Sequence, residues 1–368
     1  MGPCLTYLIR SQRTQENYLE KLATKSESTR KNFIFTTANF NKFCLEKFDE
    51  RNSEEIIQEI MTLKGEEREL ALYDVLQSWI NWNLKRNAAP SAIHNSFSYF
   101  KNYLHYRGLK ITSQDVKENL NLPRIVKEEK HPLSLDEIRK ILGVANYTKK
   151  ALYLALLSSG MRIGEAVQIT KQDLDTSLER IKVKIPGKIT KTKSGRTVFI
   201  SKEASEYIRP KLRKIDENGL VWGTNKNPTN AVAAEEMAFR RYLEKTGLAE
   251  TYETTRTRKI TLHSFRAYFF TKAARVHDEN YAHMMTGHGG YLMQYDRLSD
   301  EEKLDLYLQL EHELLVFDHS RKNAEIEKLQ RENSKLSSMY ADAMTSMADR
   351  MIQLENEIKK IQGSKNKP

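Results

Sequence analysis

Cysteine is nearly absent: Cys4 and Cys44 are the only two in 368 residues. Two isolated thiols without C-x-x-C spacing make neither a disulfide framework nor a thiolate zinc site, so a reducing interior is expected. No apolar run reaches the roughly 18 residues a membrane-spanning helix needs. No secretory signal pattern is seen at the start of the sequence. The opening Met1-Gly2-Pro3-Cys4-Leu5-Thr6 meets the bare myristoylation pattern, but Pro3 directly after the glycine makes a poor acceptor, and it is read as chance. No H-E-x-x-H accompanies the histidines between His263 and His288, which speaks against a zinc site there. A P-loop and a carboxylate cluster are also missing, so no cofactor, metal or nucleotide is expected.

What is present begins with charge. Lys and Arg number 60 against 49 Asp and Glu, a net +11 and a pI near 9.3. Such a surplus suits a polyanionic partner, although it does not by itself establish one. The hydrophobic share of 39% is that of a globular chain with a sizeable core. The length accommodates about two domains and an appendage.

Residues 1–120 have a helical texture. From Glu66 to Arg86 the residues Leu70, Tyr73, Leu76 or Gln77, Ile80 and Leu84 recur at three-to-four spacing, with Trp79 and Trp82 alongside. A second helix is predicted from Ser91 to Arg107 on Ile93, Phe97, Phe100, Tyr103 and Leu104, with Gly108 stopping it. The aromatic stripe is read as core. Lys85, Arg86, Lys101, Arg107 and Lys110 are candidates for a phosphate-facing side, a pattern that a solvated basic face shares. Residues 121–133 lose the helical period and read as an extended linker with two prolines. At Ser134-Leu135-Asp136-Glu137 a capping box opens a second domain, 134–318. Within it an apolar helix around Leu152–Leu157 ends at Gly160. A half-buried strand is expected over Leu178–Ile185, turned by Pro186-Gly187 and partnered by Thr197–Ile200. Helices are predicted at about 202–214, 230–246, 264–276 and 299–317, and Thr251–Thr261 reads as a Thr/Arg-rich loop, a candidate phosphate contact.

Residues 319–362 change texture again. Ile326, Leu329, Asn333, Leu336, Tyr340, Ala343 and Met347 alternate in steps of three and four. Met351, Leu354, Ile358 and Ile361 continue after one extra step of four. This is a heptad seam with a stutter, or alternatively one amphipathic helix folded back on the body. Residues 363–368 are expected to be a disordered tail.

Five short motifs follow one another in the second domain: Ser158-Ser159-Gly160-Met161-Arg162-Ile163-Gly164-Glu165-Ala166, then Lys191-Thr192-Lys193-Ser194-Gly195-Arg196 at a turn between strands, then His263-Ser264-Phe265-Arg266, Thr286-Gly287-His288-Gly289, and Tyr295. Each is weak alone. Their order resembles the tyrosine recombinase (phage integrase) family over about residues 134–317, and the wording around Tyr295 is similar to integrases of archaea and their mobile elements. The resemblance implies a mainly α fold with a small β-sheet: a helical N-terminal DNA-clamping domain, an α+β catalytic domain, and here an added C-terminal coiled coil. It implies a site-specific recombinase that cuts and rejoins double-stranded DNA through a covalent 3′-phosphotyrosine and a Holliday junction. It further implies a homo-oligomer, a tetramer on DNA, in a cytoplasmic, nucleoid-associated setting without a membrane. A coiled-coil partner is an added expectation.

The resemblance assigns the catalytic set to Arg162, Lys193, His263, Arg266, His288 and Tyr295, with Glu165 in support. Two guanidiniums suit a phosphorane that gathers charge on its non-bridging oxygens. Tyr295 is the implied nucleophile, His263 the proton acceptor or relay, His288 a donor to a phosphate oxygen, and Lys193 the acid for the leaving 5′ oxygen. Lys191 and Tyr291 stand as alternates. A type IB topoisomerase, or a catalytically silent DNA-binding protein of the same fold, is the alternative function.

Overall fold

The structure, a computed structural model, describes residues 13–288 and 298–365. The chain divides into two compact units, 1–128 and 129–368.

The first unit is all helical among its described residues: α1 (Gln15–Lys21), α2 (Glu27–Lys47), α3 (Ser53–Thr62), α4 (Gly65–Lys85), α5 (Pro90–Arg107) and α6 (Ser113–Asn119). Side-chain caps set several starts: Asn52 and Thr112 each complete a capping box, and Pro90 occupies the first turn of α5. Gly108 closes α5 at φ +104°, a conformation that costs a Cβ-bearing residue energy. The core is aromatic. Phe33, Phe40, Phe43, Trp79, Phe100 and Tyr103 are buried, with Phe40 and Phe100 4.1 Å apart and Trp79 edge-on to Phe40 at 5.4 Å.

Two expectations for this unit need correcting. Leu70 and Leu84 are exposed, because the buried face of α4 runs through Leu72, Tyr73, Leu76, Trp79, Ile80 and Asn83. Arg107 does not face phosphate. It is 3% exposed and clasps Glu54 with both terminal nitrogens, at 2.5 and 2.6 Å, and Tyr103 lies beside it. A buried cation requires such a partner.

In the second unit come α7 (Leu135–Val144), α8 (Tyr147–Ser159), α9 (Ile163–Ala166), β1 (Leu174–Asp175), β2 (Ile181–Ile185), β3 (Arg196–Ile200), α10 (Lys202–Leu212), α11 (Pro228–Thr246), α12 (Leu262–Val276), α13 (Glu279–Thr286), α14 (Asp300–Leu314) and α15 (Asp318–Lys365). Ser134 and Glu137 form the capping box of α7. The fold class is thus mainly α with one antiparallel three-stranded sheet, order β1-β2-β3, in which Val183 opposes Val198 and Ile185 opposes Arg196. Strand β1 is too short to leave an alternation pattern. The β2 strand starts at Ile181 rather than Leu178, because Asp175 accepts from the Ser177 backbone at 3.1 Å and turns the chain before it. Helix α8 is buried from Ala151 to Ser159 and packs on α10, α12 and β3. The segment 251–261 is a loop pinched by a bridge between Thr251 and Arg258. No described helix is long and apolar enough to cross a membrane.

Candidate functional site

Helix α8 ends where the site begins. Gly160 caps it in the left-handed region at φ +64°. A Cβ at Gly160 would lie 2.5 Å from the Phe269 ring of α12, so glycine is what lets the two helices close there. The turn delivers Arg162 to the start of α9, one turn before Glu165. Glu165 is 2% exposed, and its carboxylate accepts from the Arg162 backbone N–H at 2.9 Å and from Arg162 Nη1 at 3.0 Å.

Arg266 enters from α12 and is 2% exposed. Its Nη1 donates to the Gly160 carbonyl at 2.6 Å, and its Nη2 donates to the Thr286 carbonyl and lies 3.3 Å from His288 Nε2. Its Nε is buried with no partner among the described residues. His288 follows the left-handed cap Gly287 of α13, and its Nδ1 lies 3.2 Å from Thr286 Oγ1. That hydroxyl also donates to the Ala282 carbonyl at 2.6 Å. Having one hydrogen, the threonine spends it on the carbonyl and accepts from Nδ1–H. His288 therefore presents a bare Nε2 to Arg266. His263, exposed in the first turn of α12 and close enough to feel the charge of Arg266 and Arg162, completes the group.

Arg196 is the member that sequence reasoning passed over. It belongs to the Lys191–Arg196 turn motif, which by itself marks no role for it. At the first position of β3 its two terminal nitrogens clasp Glu165 at 3.1 and 2.7 Å, and its Nε donates to the Met285 carbonyl at 2.9 Å. A signal existed: by the period of two, Arg196 shares a strand face with Val198 and Ile200, and a cation on an apolar face needs a buried anion. Glu165, set in the apolar stretch Ile163–Val167, is that anion. Thr286 is the second residue missed.

The balance in this pocket is three guanidiniums to one carboxylate. Burial alone would raise the Glu165 carboxyl, but the Arg196 and Arg162 contacts outweigh it and hold it below its ordinary range. Burial, then Arg162 and Arg196, push Arg266 down to about 9, still cationic at neutral pH. Burial, followed by Arg266 and Arg162, lowers His263. The same causes in the same order take His288 down to about 4. The pocket is short of negative charge, and its buried donors suit an oxyanion with more than one terminal oxygen.

The other expected residues stand apart from this group. Lys193 sits at the tip of the β2–β3 turn with φ +59°, exposed, and its ammonium donates to the Lys188 carbonyl at 3.3 Å. Lys191 is exposed in the same turn. No described contact joins either lysine to the arginines. Tyr291 and Tyr295 lie outside the described residues. Among the described residues no three His, Cys, Asp or Glu side chains converge as a metal site would require.

A sequence profile described as the phage integrase family matches residues 132–298, a span that contains every site residue described above. Residues 132–298 thus form a domain with the phage integrase family's sequence profile. Among curated tyrosine recombinases, XerC of Chlamydia caviae is 23% identical over 250 residues, covering 63% of this chain and 78% of the relative. XerC of Chlamydia pneumoniae is 21% identical over 248 residues, with the same coverage of 63% and 78%. Among solved tyrosine recombinase structures, a lambda integrase dimer bound to a COC′ core site superposes with a TM-score of 0.52. It is 14% identical, and the match covers 77% of this chain and 97% of that one. A lambda integrase tetramer bound to a Holliday junction gives 0.51 at 15% identity, covering 81% and 84%. At these identities the likeness shows the fold.

One titration follows from the geometry. His288 should remain neutral down to about pH 5 in the free protein, since its pKa lies at about 4. An oxyanion on Arg266 replaces a repelling cation with an attracting anion, so bound phosphate should raise that value. NMR titration of the imidazole with and without phosphate checks both parts. An unliganded pKa near the ordinary 6.5 would contradict the packing described.

Proposed function

We propose that this protein is a site-specific DNA recombinase that cuts and rejoins duplex DNA through a 3′-phosphotyrosine. The observation that carries the reading is the convergence of Arg162 and Arg266, each fixed by buried partners, with His263 and His288 on one positively charged pocket. It is supported by the phage integrase profile over residues 132–298 and by similarly folded lambda integrase structures solved on a core site and on a Holliday junction.

In the proposed reaction the Tyr295 oxygen attacks phosphorus, and His263 accepts or relays the phenolic proton. The bond from phosphorus to the 5′ oxygen breaks, and Lys193 supplies the proton that makes it a hydroxyl. Lys191 is the alternative donor from the same turn. Arg162 and Arg266 neutralise the charge that builds on the non-bridging oxygens. His288, once protonated on Nε2, donates a further bond to one of them. Glu165 orients the arginines and does not react. The phosphotyrosine keeps the energy of the broken bond, so a second 5′ hydroxyl can reverse the step on another strand without ATP.

The helical unit is assigned to clamping DNA alongside the catalytic unit, and the net +11 supplies the sequence-independent part of the affinity. Exchange needs two duplexes cut on both strands, which calls for four protomers on DNA. The setting is cytoplasmic and nucleoid-associated.

A two-site recombination assay beside relaxation of a supercoiled plasmid lacking any site tests this reading. Recombinant products with little site-free relaxation are expected. Site-independent relaxation by single protomers would favour a type IB topoisomerase, and binding without covalent complex a silent relative. Cleavage should also proceed at full rate in excess EDTA and without nucleotide, because side chains supply the nucleophile and every charge stabiliser. Loss of cleavage in EDTA would overturn that.

A further inference from the structure

Helix α15 runs for 48 residues, about 72 Å at 1.5 Å per residue, and among its described side chains those attached to the rest of the second unit lie near its beginning. Glu203, 3% exposed, accepts from the backbone N–H groups of Val316 and Phe317 at 3.0 and 2.8 Å. Arg139 donates to the Val316 carbonyl at 3.0 Å. Further into the helix, Glu327 receives Arg180 at 2.8 Å and Lys202 at 3.1 Å, while Arg180 also pairs with buried Glu311 at 2.9 Å. From Lys328 to Leu354 every described side chain is exposed, so the helix does not fold back along the body. Ten large apolar residues between Ile326 and Leu354 are 44–69% exposed. An apolar stripe of that extent is beyond what monomers leave in water, and a bare helix has little stability of its own without burial of such a face.

We infer that α15 pairs with α15 of a second copy of this chain, in parallel and in register, as a two-stranded coiled coil. Three features identify the occupant. First, residues 318–361 carry eight acidic and eight basic side chains, so the tail is neutral while the rest of the chain holds the whole +11. A helix for nucleic acid would be basic, whereas a neutral one meets its own copy without repulsion. Second, Ile326, Asn333, Tyr340 and Met347 occupy the first core position of successive heptads, and Leu329, Leu336 and Ala343 the second. One buried Asn among apolar positions is satisfied only when it meets its own counterpart, which fixes a parallel in-register pair. Third, the flanking positions match in that register: Glu325 faces Gln330 of the copy, Glu332 faces Ser337, and Met339 faces Met344, with no like charges opposed. Because the ion pairs at Glu327 and the carboxylate of Glu203 fix the helix root on its domain, pairing would set two copies of that domain about a two-fold axis. This inference does not rest on the recombinase reading.

Light scattering on the full-length protein without DNA, at micromolar concentration, should report a dimer. Replacing Leu329 and Leu336 together with Asp should weaken the pair by more than about tenfold, since each carboxylate would be buried without a partner. Asn333→Cys should form an interchain disulfide on mild oxidation beyond the background of the parent chain. Ser338→Cys, on the outward side of the same heptad, should not. A loss of helical circular dichroism no larger than the 48 residues of α15 account for, with cleavage of a single site near parent level, separates failed pairing from failed folding of the body or failed chemistry. A monomeric parent, a dimer indifferent to the Asp pair, or equal cross-linking at 333 and 338 would each overturn the proposal.

Discussion

Tyr295→Phe is expected to bind DNA like the parent chain and to form no covalent complex, a loss on the order of 10⁴-fold or more. The substitution removes one hydroxyl and leaves the ring, so packing and the Lys/Arg contacts that provide affinity are unchanged. Tyr291→Phe is expected to trap DNA on a nicked suicide substrate as the parent does. The distinction rests on chain length from His288, which Arg266 and Thr286 hold in place. Tyr291 follows His288 after only Gly289 and Gly290, too short a reach for its ring to swing back to a phosphate on the arginines. Tyr295 lies four residues further along the sequence, followed by Asp296-Arg297-Leu298 before α14. Mass spectrometry of the DNA-linked peptide decides between them, and a phosphotyrosine at 291 would refute the assignment.

How far the sequence carried this reading depended on what kind of residue did the work. Long periodic helices such as Gly65–Lys85 and Pro90–Arg107 were legible to within a residue at each end, because apolar spacing and caps are local properties. The same local rule misplaced Leu70, Leu84 and Arg107, whose burial depends on which neighbour covers each face. The β-sheet was visible as alternation over β2 and β3, while two-residue β1 exists only through its pairing with β2. For the site, residue types in motif order pointed to Arg162, Glu165, His263, Arg266 and His288, and the structure brings these five together. Arg196 escaped because nothing local marks an ion pair between β3 and α9, which are 31 positions apart in sequence. Thr286 escaped because its role, fixing the His288 tautomer, rests on the competing claim of the Ala282 carbonyl on one hydrogen.

That ion pair is where the largest stability change is expected. Glu165→Ala should destabilise the protein by ~3–5 kcal/mol, the range for breaking a buried pair by removing one partner. Arg266 is buried and Arg196 partly so, and Glu165 is the carboxylate held between Arg196 and Arg162. Without it three guanidiniums repel one another, and Arg196 keeps only the Met285 carbonyl. Cleavage should fall by about 10²-fold, because a shift of about 1 Å in Arg162 is enough to misalign the phosphate. Removing the other partner as well, in Glu165→Ala with Arg196→Met, should recover part of the lost stability, since it takes away the stranded charge. Urea denaturation of the four members of this cycle measures the coupling. A Glu165→Ala protein within about 1 kcal/mol of the parent would show that the pair contributes little. Acid titration gives an independent check with a defined sign. The Glu165 carboxyl is held below its ordinary range in the folded state, so its contribution is complete above the unfolded value of about 4.3. It is lost as pH falls from there through the lowered folded value. The parent should therefore lose stability on acidification below about pH 4.3 more steeply than Glu165→Gln, which keeps the shape and one acceptor but has no proton to take up.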